Sequence, residues 1–543
     1  MNRRFRTLVA ATALVLLTLG LLPLAAAPAE AASWTAITGS GSTWSQNALD
    51  QWRVNVAANY GMTVNYNGTG STQGRVDFIN NQVDFAISEI PFQAHPQDGS
   101  APENPSRSYA YMPIVAGGTS FMYNLVIGGK RVTNLRLSGA VITKIFLGQI
   151  RNWNDPAIKA DNPGLAMPDK AITPIVRSDG SGTSAQFTLW MSKQFGSLWK
   201  TGMSSQFPTP PNGKAQNGSL GVAGYVSQAY GEGAITYVEY SYAIKAGFPV
   251  VKVLNSAGYY AEPTANSVAV ALLKAQINTD QSSPDYLTEI LDGVYNNPDP
   301  RTYPLSSYSY IIVPTKAEGI FNTDKGATLS EFMRYVLCEG QQRAPELGYS
   351  PLPMNLVLAG SDQIKRIPGS NGNGVDTSKC NNPTFKPGDS PSNNQLALTA
   401  PQPAACDKQG PLQCTTGTAG AKAPTAVSAA AGGGGSSGSG GGGTGSSAAG
   451  GATAGTSGGG AAATGTSAPV YDEAGNIISG GAAAAGNAAS TPFKVPDPGM
   501  GPAQWMMVIA GVMLLALIAA PAIFRRPRRP AAAPRGNGAP PRP

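Results

Sequence analysis

The sequence predicts an α/β protein with a two-lobed body, followed by a disordered linker and one transmembrane helix. Between residues 33 and 368, strand-like apolar runs alternate with helix-like stretches, which is typical of α/β layers with largely parallel sheets. This body has roughly 335 residues, more than one core comfortably organises, so two lobes are expected. Beyond it, small residues dominate until a final apolar run begins.

The first 32 residues are predicted to be a secretory signal peptide. Three arginines, Arg3, Arg4 and Arg6, precede an apolar stretch at residues 8–24, and residues 29–31 offer an Ala-x-Ala cleavage site. An uncleaved signal anchor is the alternative interpretation. The first cysteine of the chain is Cys338, so no N-terminal lipid anchor is expected.

The C-terminal part is predicted to tether the body to a membrane. Residues 369–500 are rich in glycine, alanine and serine and cannot bury enough apolar surface to fold, so a flexible linker is expected. Residues 505–524 carry no charge and have about the length that spans a bilayer core. The basic residues 525–543 follow, which predicts a cytoplasmic C-terminus. The expected location is the cell membrane, with one span and the globular part extracytoplasmic.

The net charge does not indicate a nucleic-acid partner. The chain has 38 lysines and arginines against 31 acids, a formal charge of +7. Nine of the arginines lie in the two end segments, 1–32 and 525–543, and the rest of the chain keeps 29 basic and 30 acidic residues. A near-neutral body argues against a nucleic-acid surface.

Four cysteines suggest disulfides, because an even number in an exported chain is typical of them. The simplest pairing joins Cys338 to Cys380 and Cys406 to Cys414, although the sequence leaves the connectivity open. A zinc site is the rival interpretation, but His95 is the only histidine of the chain. No metal is therefore expected.

Nine strands and seven helices are predicted within the body, in alternation. The strand-like runs lie at residues 34–38, 62–66, 83–88, 111–116, 121–125, 171–177, 234–240, 250–254 and 308–313. The helix-like stretches lie at residues 44–58, 72–80, 139–147, 182–194, 222–230, 267–277 and 329–342. One face of the first helix is expected in the core, and it carries Trp44, Ala48, Leu49, Trp52 and Val56.

Three loops, at residues 39–44, 68–74 and 177–183, each join a strand to a helix through glycines and hydroxyl residues. Free backbone N–H groups and the positive end of the helix dipole favour an oxyanion there, and glycine lets the backbone approach it closely. One such loop is more often a plain helix cap. Three of them, one with an arginine, indicate a bound tetrahedral anion. No lysine follows the glycines, so the Walker pattern does not apply.

Two charged residues stand at strand ends beside these loops. Arg177 can grip two oxygens of an anion while Asp179 holds its guanidinium, although a surface ion pair is the alternative. Glu89 can accept a hydrogen bond from a protonated anion such as phosphate, whereas sulfate has no proton to donate and is rejected. The alternative for Glu89 is a solvated strand end.

These loops and several longer motifs resemble the substrate-binding proteins of bacterial phosphate ABC importers. The resemblance covers residues 34–368. It is strongest at VDFAISEIP (83–91), MPIVAGG (112–118), IFLGQIRNWNDPAI (145–158) and GAITYVEY (233–240), and in NPGL (162–165) ahead of the third loop.

The resemblance implies the Venus-flytrap fold of type II periplasmic binding proteins. The first lobe would comprise residues 33–118 and 239–368 and the second lobe residues 119–238, with two crossovers and phosphate in the cleft. The implied donors and acceptors, with Asp179 supporting Arg177, are Thr43, Trp44, Ser71, Glu89, Arg177, Ser181, Gly182 and Thr183. Two positions depart from the family's pattern, which usually has Asp where Glu89 stands and Phe where Trp44 stands. The C-terminal span would replace the lipid anchor of many relatives.

The expected function is a monomeric receptor that passes inorganic phosphate to an ABC-type permease, without a cofactor or a catalytic group. A hydrolase on the same fold is a second hypothesis. Ser42, Ser71 and Ser181 would offer it hydroxyls, but the single imidazole, His95, lies in a proline-rich loop away from the strand ends. Glu89 also leaves open a surface protein for adhesion or signalling and a receptor for another oxyanion.

Overall fold

The computed structural model describes residues 34–425 and the backbone of two short strands further on, Val470–Tyr471 and Ile477–Ser479. The predicted signal peptide (1–32), transmembrane segment (505–524) and basic tail (525–543) lie outside the described residues, as does the rest of the linker beyond residue 425. Within the described part of the chain, no helix is long and apolar enough to cross a membrane.

Strands and helices alternate along the described chain. The strands, β1 to β17, are Ile37–Gly41, Val64–Asn67, Phe85–Ser88, Tyr109–Tyr123, Val126–Ile127, Lys130–Arg131, Arg136–Leu137, Thr173–Arg177, Lys214–Gln216, Ala234–Glu239, Lys252–Leu254, Tyr260–Ala261, Gln276–Ile277, Glu289–Ile290, Ser306–Pro314, Val470–Tyr471 and Ile477–Ser479. The helices, α1 to α13, are Gln46–Tyr60, Ser71–Ile79, Gly139–Phe146, Pro156–Asp161, Gly182–Gln194, Gly218–Ser227, Tyr240–Ala246, Ala265–Leu272, Asp292–Tyr295, Thr323–Leu337, Ala344–Leu347, Met354–Arg366 and Gln395–Leu398.

One eight-stranded sheet runs through both lobes, in the order β2-β1-β3-β15-β4-β10-β8-β9. The first lobe holds β1, β2, β3 and β15, and the second holds β8, β9 and β10. The long strand β4 belongs to both, because it pairs with β15 as far as Gly118 and with β10 from Thr119. The predicted change of lobe at residue 119 coincides with this change of partner. The two-lobed α/β prediction is confirmed.

The sheet is parallel at its flanks and antiparallel in its middle, where the sequence predicts a largely parallel sheet. β2, β1 and β3 are parallel to one another, as are β10, β8 and β9. β15 and β4 run antiparallel to each other and to their outer neighbours. The chain passes from the first lobe to the second along β4, whose two neighbours, β15 and β10, both run antiparallel to it.

Helices cover both faces of the sheet. The first helix, α1, shows how the spacing of apolar residues in the sequence leads to their burial. Ala48, Leu49, Trp52 and Val56 of α1 are buried on one face, as their spacing predicts, and Trp44 is buried ahead of the helix. The helix ends at Gly61, whose φ of 67° suits glycine at this position.

Residues 369–425 correct the predicted start of the linker, because they pack on the body instead of forming a free tether. Disulfides join Cys338 to Cys380 and Cys406 to Cys414, the simplest pairing suggested by the sequence. We call residues 381–425 the C-terminal extension. Its carbonyl groups at Cys406 and Leu412 accept hydrogen bonds from Nη1 of Arg136, at 3.1 and 2.8 Å. These polar contacts hold a segment whose composition supplies few apolar side chains.

Candidate anion-binding site

The three loops predicted to bind an anion meet at the boundary between the lobes. They lead from β1 to α1, from β2 to α2 and from β8 to α5. The N–H of Thr72 donates to the carbonyl of Gly180 at 3.1 Å, and the N–H of Gly182 donates to Oγ of Ser71 at 3.1 Å. The N-termini of α2 and α5 therefore face each other across the cleft, with their positive dipole ends converging.

Arg177 is the basic group of this site, and it is buried at the end of β8. Its Nε donates to Oδ1 of Asp179 at 2.7 Å and its Nη2 pairs with Oδ2, so one carboxylate grips the guanidinium with both oxygens. Burial acts to raise the pKa of Asp179, but the hydrogen bonds and charge of Arg177 outweigh it and lower that pKa. The pair therefore stays ionised.

The remaining guanidinium nitrogen of Arg177 points to hydroxyl groups. Nη1 donates to Oγ1 of Thr183 and to Oγ of Ser219, both at 3.3 Å. Ser219 also lies 2.9 Å from Oγ1 of Thr43, which belongs to the other lobe. One side of the guanidinium is thus fixed by Asp179, while Nη1 on the other side donates to two hydroxyl groups, one of which also contacts Thr43.

Glu89 is the acidic group of the site and is also buried, just after β3. Its Oε1 accepts hydrogen bonds from Ser42 at 2.5 Å and from Ser309 at 2.9 Å, and its Oε2 accepts one from Ser71 at 2.8 Å. Burial raises the pKa of Glu89 above 4.5, and the three hydroxyls and Arg177 oppose that shift. The solvated strand end considered for Glu89 is therefore wrong.

Glycine is required where the two lobes come closest. A Cβ atom on Gly182 would lie 2.0 Å from Oε2 of Glu89 and 2.6 Å from Oγ of Ser71. Gly70, which caps α2, adopts a φ of 90°, a conformation that other residues rarely take. Any side chain at Gly182 would hold Glu89 away from the start of α5.

Two predicted donors are already engaged within the protein. The N–H of Trp44 donates to Oγ of Ser42 at 2.9 Å, and its indole donates to Thr119 at 3.2 Å. Ser181 caps α5 by accepting from the N–H of Ser184, at 3.2 Å, while its own N–H donates to the carbonyl of Ser205 at 2.9 Å.

The structure adds Ser42, Ser219 and Ser309 to the eight predicted ligand residues and Asp179. The sequence does carry a signal for Ser219, because residues 217–219 read Asn-Gly-Ser at the start of α6 and repeat the pattern of the other loops. Ser42 lies inside the first predicted loop. Ser309, in contrast, lies in the middle of β15. The alternation of residues along a strand does not indicate that a serine will contact a carboxylate distant in the sequence.

A hydrolase on this fold would have His95 as its single imidazole. His95 is exposed on the loop that follows β3 and is not one of the residues of the three loops. Among the residues that the structure describes, no group of three or more histidine, cysteine or acidic side chains is arranged to hold a metal ion.

Comparison with known proteins agrees with this geometry. Residues 26–339, more than half of the chain, match a family model described as a PBP superfamily domain. The chain belongs to this superfamily. A phosphate-binding protein PstS of Xylella fastidiosa is 33% identical over 335 residues, which cover 61% of this chain and 85% of that protein.

Other PstS relatives match the same region. The phosphate-binding protein PstS of Haemophilus influenzae is 32% identical over 355 residues, covering 64% of this chain and 96% of the relative. The phosphate-binding protein PstS 2 of Mycobacterium tuberculosis is 32% identical over 321 residues, covering 58% and 82%. Within the PBP superfamily, the chain thus belongs to the family of PstS phosphate-binding proteins.

Proposed function

We propose that this protein is an extracytoplasmic receptor that captures inorganic phosphate between its two lobes and delivers it to an ABC importer. The observation that carries this proposal is the placement of Arg177 and Glu89, both buried and one from each lobe, at the converging N-termini of α2 and α5. A fixed cation attracts the anion, and a carboxylate requires that the anion carry a proton. The family membership supports the same conclusion.

In this proposal the donors act together on one tetrahedral anion. Arg177 supplies the full positive charge, and Asp179 keeps its guanidinium in place. Thr43 and Trp44 belong to the first loop and Ser71 to the second, and Ser181, Gly182 and Thr183 belong to the third. In the closed cleft these hydroxyls and N–H groups bond to one another, and with phosphate present they would donate to its oxygens instead. Helix N-termini favour the negative charge of phosphate.

Glu89 would select the ligand. Its carboxylate accepts a hydrogen bond from the P–OH of phosphate, and three serine hydroxyls hold it in place for this contact. Sulfate carries no proton at neutral pH and would leave two negative charges facing each other in a buried site. Glutamate is one methylene longer than the family's usual aspartate, and these serines fix the position of the carboxylate on its longer side chain.

The remaining parts of the proposal concern location and partners. The signal peptide would export the chain, and residues 505–524 would hold it in the cell membrane with the C-terminus in the cytoplasm. The partner would be an ABC-type permease, which distinguishes the closed, loaded form from the open one. We propose a monomer that needs no cofactor, performs no catalysis and binds no nucleic acid.

Calorimetric titration of the purified full-length protein tests the proposed ligand. We expect tight binding of phosphate, binding of its close analogue arsenate, and no heat from sulfate under the same conditions. Failure to bind phosphate would contradict the proposal, and preferential binding of sulfate would assign the receptor to a different oxyanion.

A further inference from the structure

A polar bridge lies beside the anion site and joins the two lobes. Its central residue is Gln186, four residues into α5 after Gly182, and the side chain is 6% exposed. Its Nε2 donates to the main-chain carbonyl of Glu89 at 2.8 Å and to Oε1 of Glu289 at 3.0 Å. The two hydrogens of the amide thus match two acceptors on the opposite lobe.

The second acceptor of the bridge is itself fixed. Oε2 of Glu289 accepts a hydrogen bond from the N–H of Tyr308 at 2.8 Å, which attaches this carboxyl group to β15 of the first lobe. Burial raises the pKa of Glu289 well above 4.5. The bridge is therefore anchored to the first lobe at two points, β3 through Glu89 and β15 through Glu289.

Helix α5, in contrast, is packed on the second lobe. Ser184 lies 2.8 Å from the hydroxyl of Tyr237 in β10, and the ring of Phe187 contacts the same tyrosine, with centroids 5.0 Å apart. Ser184 and Phe187 flank Gln186 in the sequence. The two hydrogen bonds of Gln186 therefore form across the cleft, and separation of the lobes breaks both.

We propose that Gln186 is a positioning residue that locks the closed cleft and holds the backbone of Glu89 where its carboxylate meets phosphate. This inference rests on the proposed function. Gln186 touches the main chain of Glu89 and not its carboxylate, so it acts on the ligand through Glu89. A hydrogen bond made in the closed state alone stabilises that state alone, and it therefore slows the release of phosphate.

Glutamine is suited to this role because its amide offers donors to two oxygens at once. A leucine of similar size would leave the carbonyl of Glu89 and the carboxyl of Glu289 buried without this donor. A glutamate would place a carboxylate against both oxygens and oppose closure more strongly. In an open cleft, all three side chains would face water and differ little.

The test uses the full-length protein and inorganic phosphate, with Gln186→Leu as the main variant. Gln194→Leu, the same substitution at the end of the same helix, is the matched control. We expect Gln186→Leu to weaken phosphate binding about tenfold or more, since a tenfold change corresponds to about one buried hydrogen bond. The change should appear mainly as faster release in stopped-flow measurements, while the melting temperature without phosphate stays at the wild-type value.

Gln186→Glu supplies a second test that does not depend on how well leucine packs. It should bind phosphate more weakly than Gln186→Leu and also keep the wild-type melting temperature without ligand. Wild-type phosphate affinity in both variants would overturn the inference. An equal drop in melting temperature with and without phosphate would also overturn it, because that result is expected of a residue that only stabilises the fold. If the wild-type chain itself binds no phosphate, the proposed function fails and this inference fails with it.

Discussion

The two charged groups of the site are held in opposite ways. Arg177, in the second lobe, is paired with a counter-charge, because Asp179 grips it with both carboxylate oxygens. Glu89, in the first lobe, is held by three hydroxyl groups, from Ser42, Ser71 and Ser309. One half of the site is therefore an ion pair, and the other half is a buried carboxylate stabilised by dipoles.

This difference suggests separate roles for the two halves of the proposed site: the ion pair attracts the anion, and Glu89 selects which anion is bound. The lowered pKa of Asp179 keeps the Arg177 pair ionised, so its half of the site responds little to protons. The raised pKa of Glu89 makes the other half sensitive to them, since burial without a paired cation disfavours its charge. We expect substitutions in the ion pair to change affinity, and substitutions at Glu89 to change which anion is accepted.

Removal of the cation should have the largest effect. Arg177→Ala leaves the anion without a full positive partner and leaves Asp179 as an unpaired buried charge, so we expect phosphate affinity to fall about 100-fold or more. Calorimetry measures the loss, and Arg151→Ala, an exposed arginine in the second lobe, is the control. Retained phosphate affinity in Arg177→Ala would contradict the role given to the ion pair.

Loss of the supporting carboxylate should have the next largest effect. Asp179→Asn keeps the size of the side chain but removes the charge that orients Arg177, and Oδ1 also accepts the N–H of Gly218 at the start of α6, at 2.9 Å. We expect phosphate binding to weaken about 10- to 100-fold, less than for Arg177→Ala. An effect as large as that of Arg177→Ala, measured by the same titration, would show that Asp179 does more than orient the arginine.

Substitution of the acid should change selectivity more than affinity. Glu89→Gln removes the negative charge and adds N–H donors, so sulfate should begin to bind while phosphate affinity falls about tenfold. Parallel titrations with the two anions give the ratio of their dissociation constants. Glu89→Asp, which restores the charge one methylene shorter, should reject sulfate again. If Glu89→Gln still fails to bind sulfate, the carboxylate is not the selecting group.

The smallest effect should be a shift in pH dependence. Because burial raises the pKa of Glu89, its ionised form is lost as pH falls towards a value above 4.5, earlier than for an exposed glutamate. Phosphate affinity of the wild type should decline across that interval, because the protonated acid is a weaker acceptor for the P–OH hydrogen bond than the carboxylate. The ratio of wild-type to Glu89→Gln affinity removes the titration of phosphate itself and should fall with decreasing pH. A constant ratio of the two affinities would mean that Glu89 does not titrate in that pH interval.

Local sequence predicts the parts of the site that local chemistry determines. Glycine and hydroxyl residues at a strand-to-helix junction specify a helix start with free N–H groups, and α5 begins and ends where its pattern predicts, at Gly182 and Gln194. Ser309 and Gln186 cannot be found in this way. Each reaches Glu89 from a segment far away in the chain, and neither lies in a motif.

Two features of the fold differ from the prediction for physical reasons. The sequence predicts two strands, 111–116 and 121–125, in place of β4, because the pair Gly117-Gly118 interrupts its apolar pattern. Pro113 lies within the first of them. The structure joins them, and a register shift at Ser309–Tyr310 of β15 lies opposite the proline. The sequence also predicts a free C-terminal extension, since composition does not reveal that Arg136 and Arg301 bind its main-chain carbonyls.

The C-terminal extension also connects the two lobes. Asn382 and Thr384 donate hydrogen bonds to the carbonyl of Leu352 in the first lobe. Thr425, the last residue of the extension, accepts a hydrogen bond from the N–H of Thr133 at 2.9 Å and donates to Asn134 at 2.5 Å. Both partners follow the second half of β4. The C-terminal extension therefore contacts residues of both lobes, so a movement of one lobe relative to the other must also displace this segment.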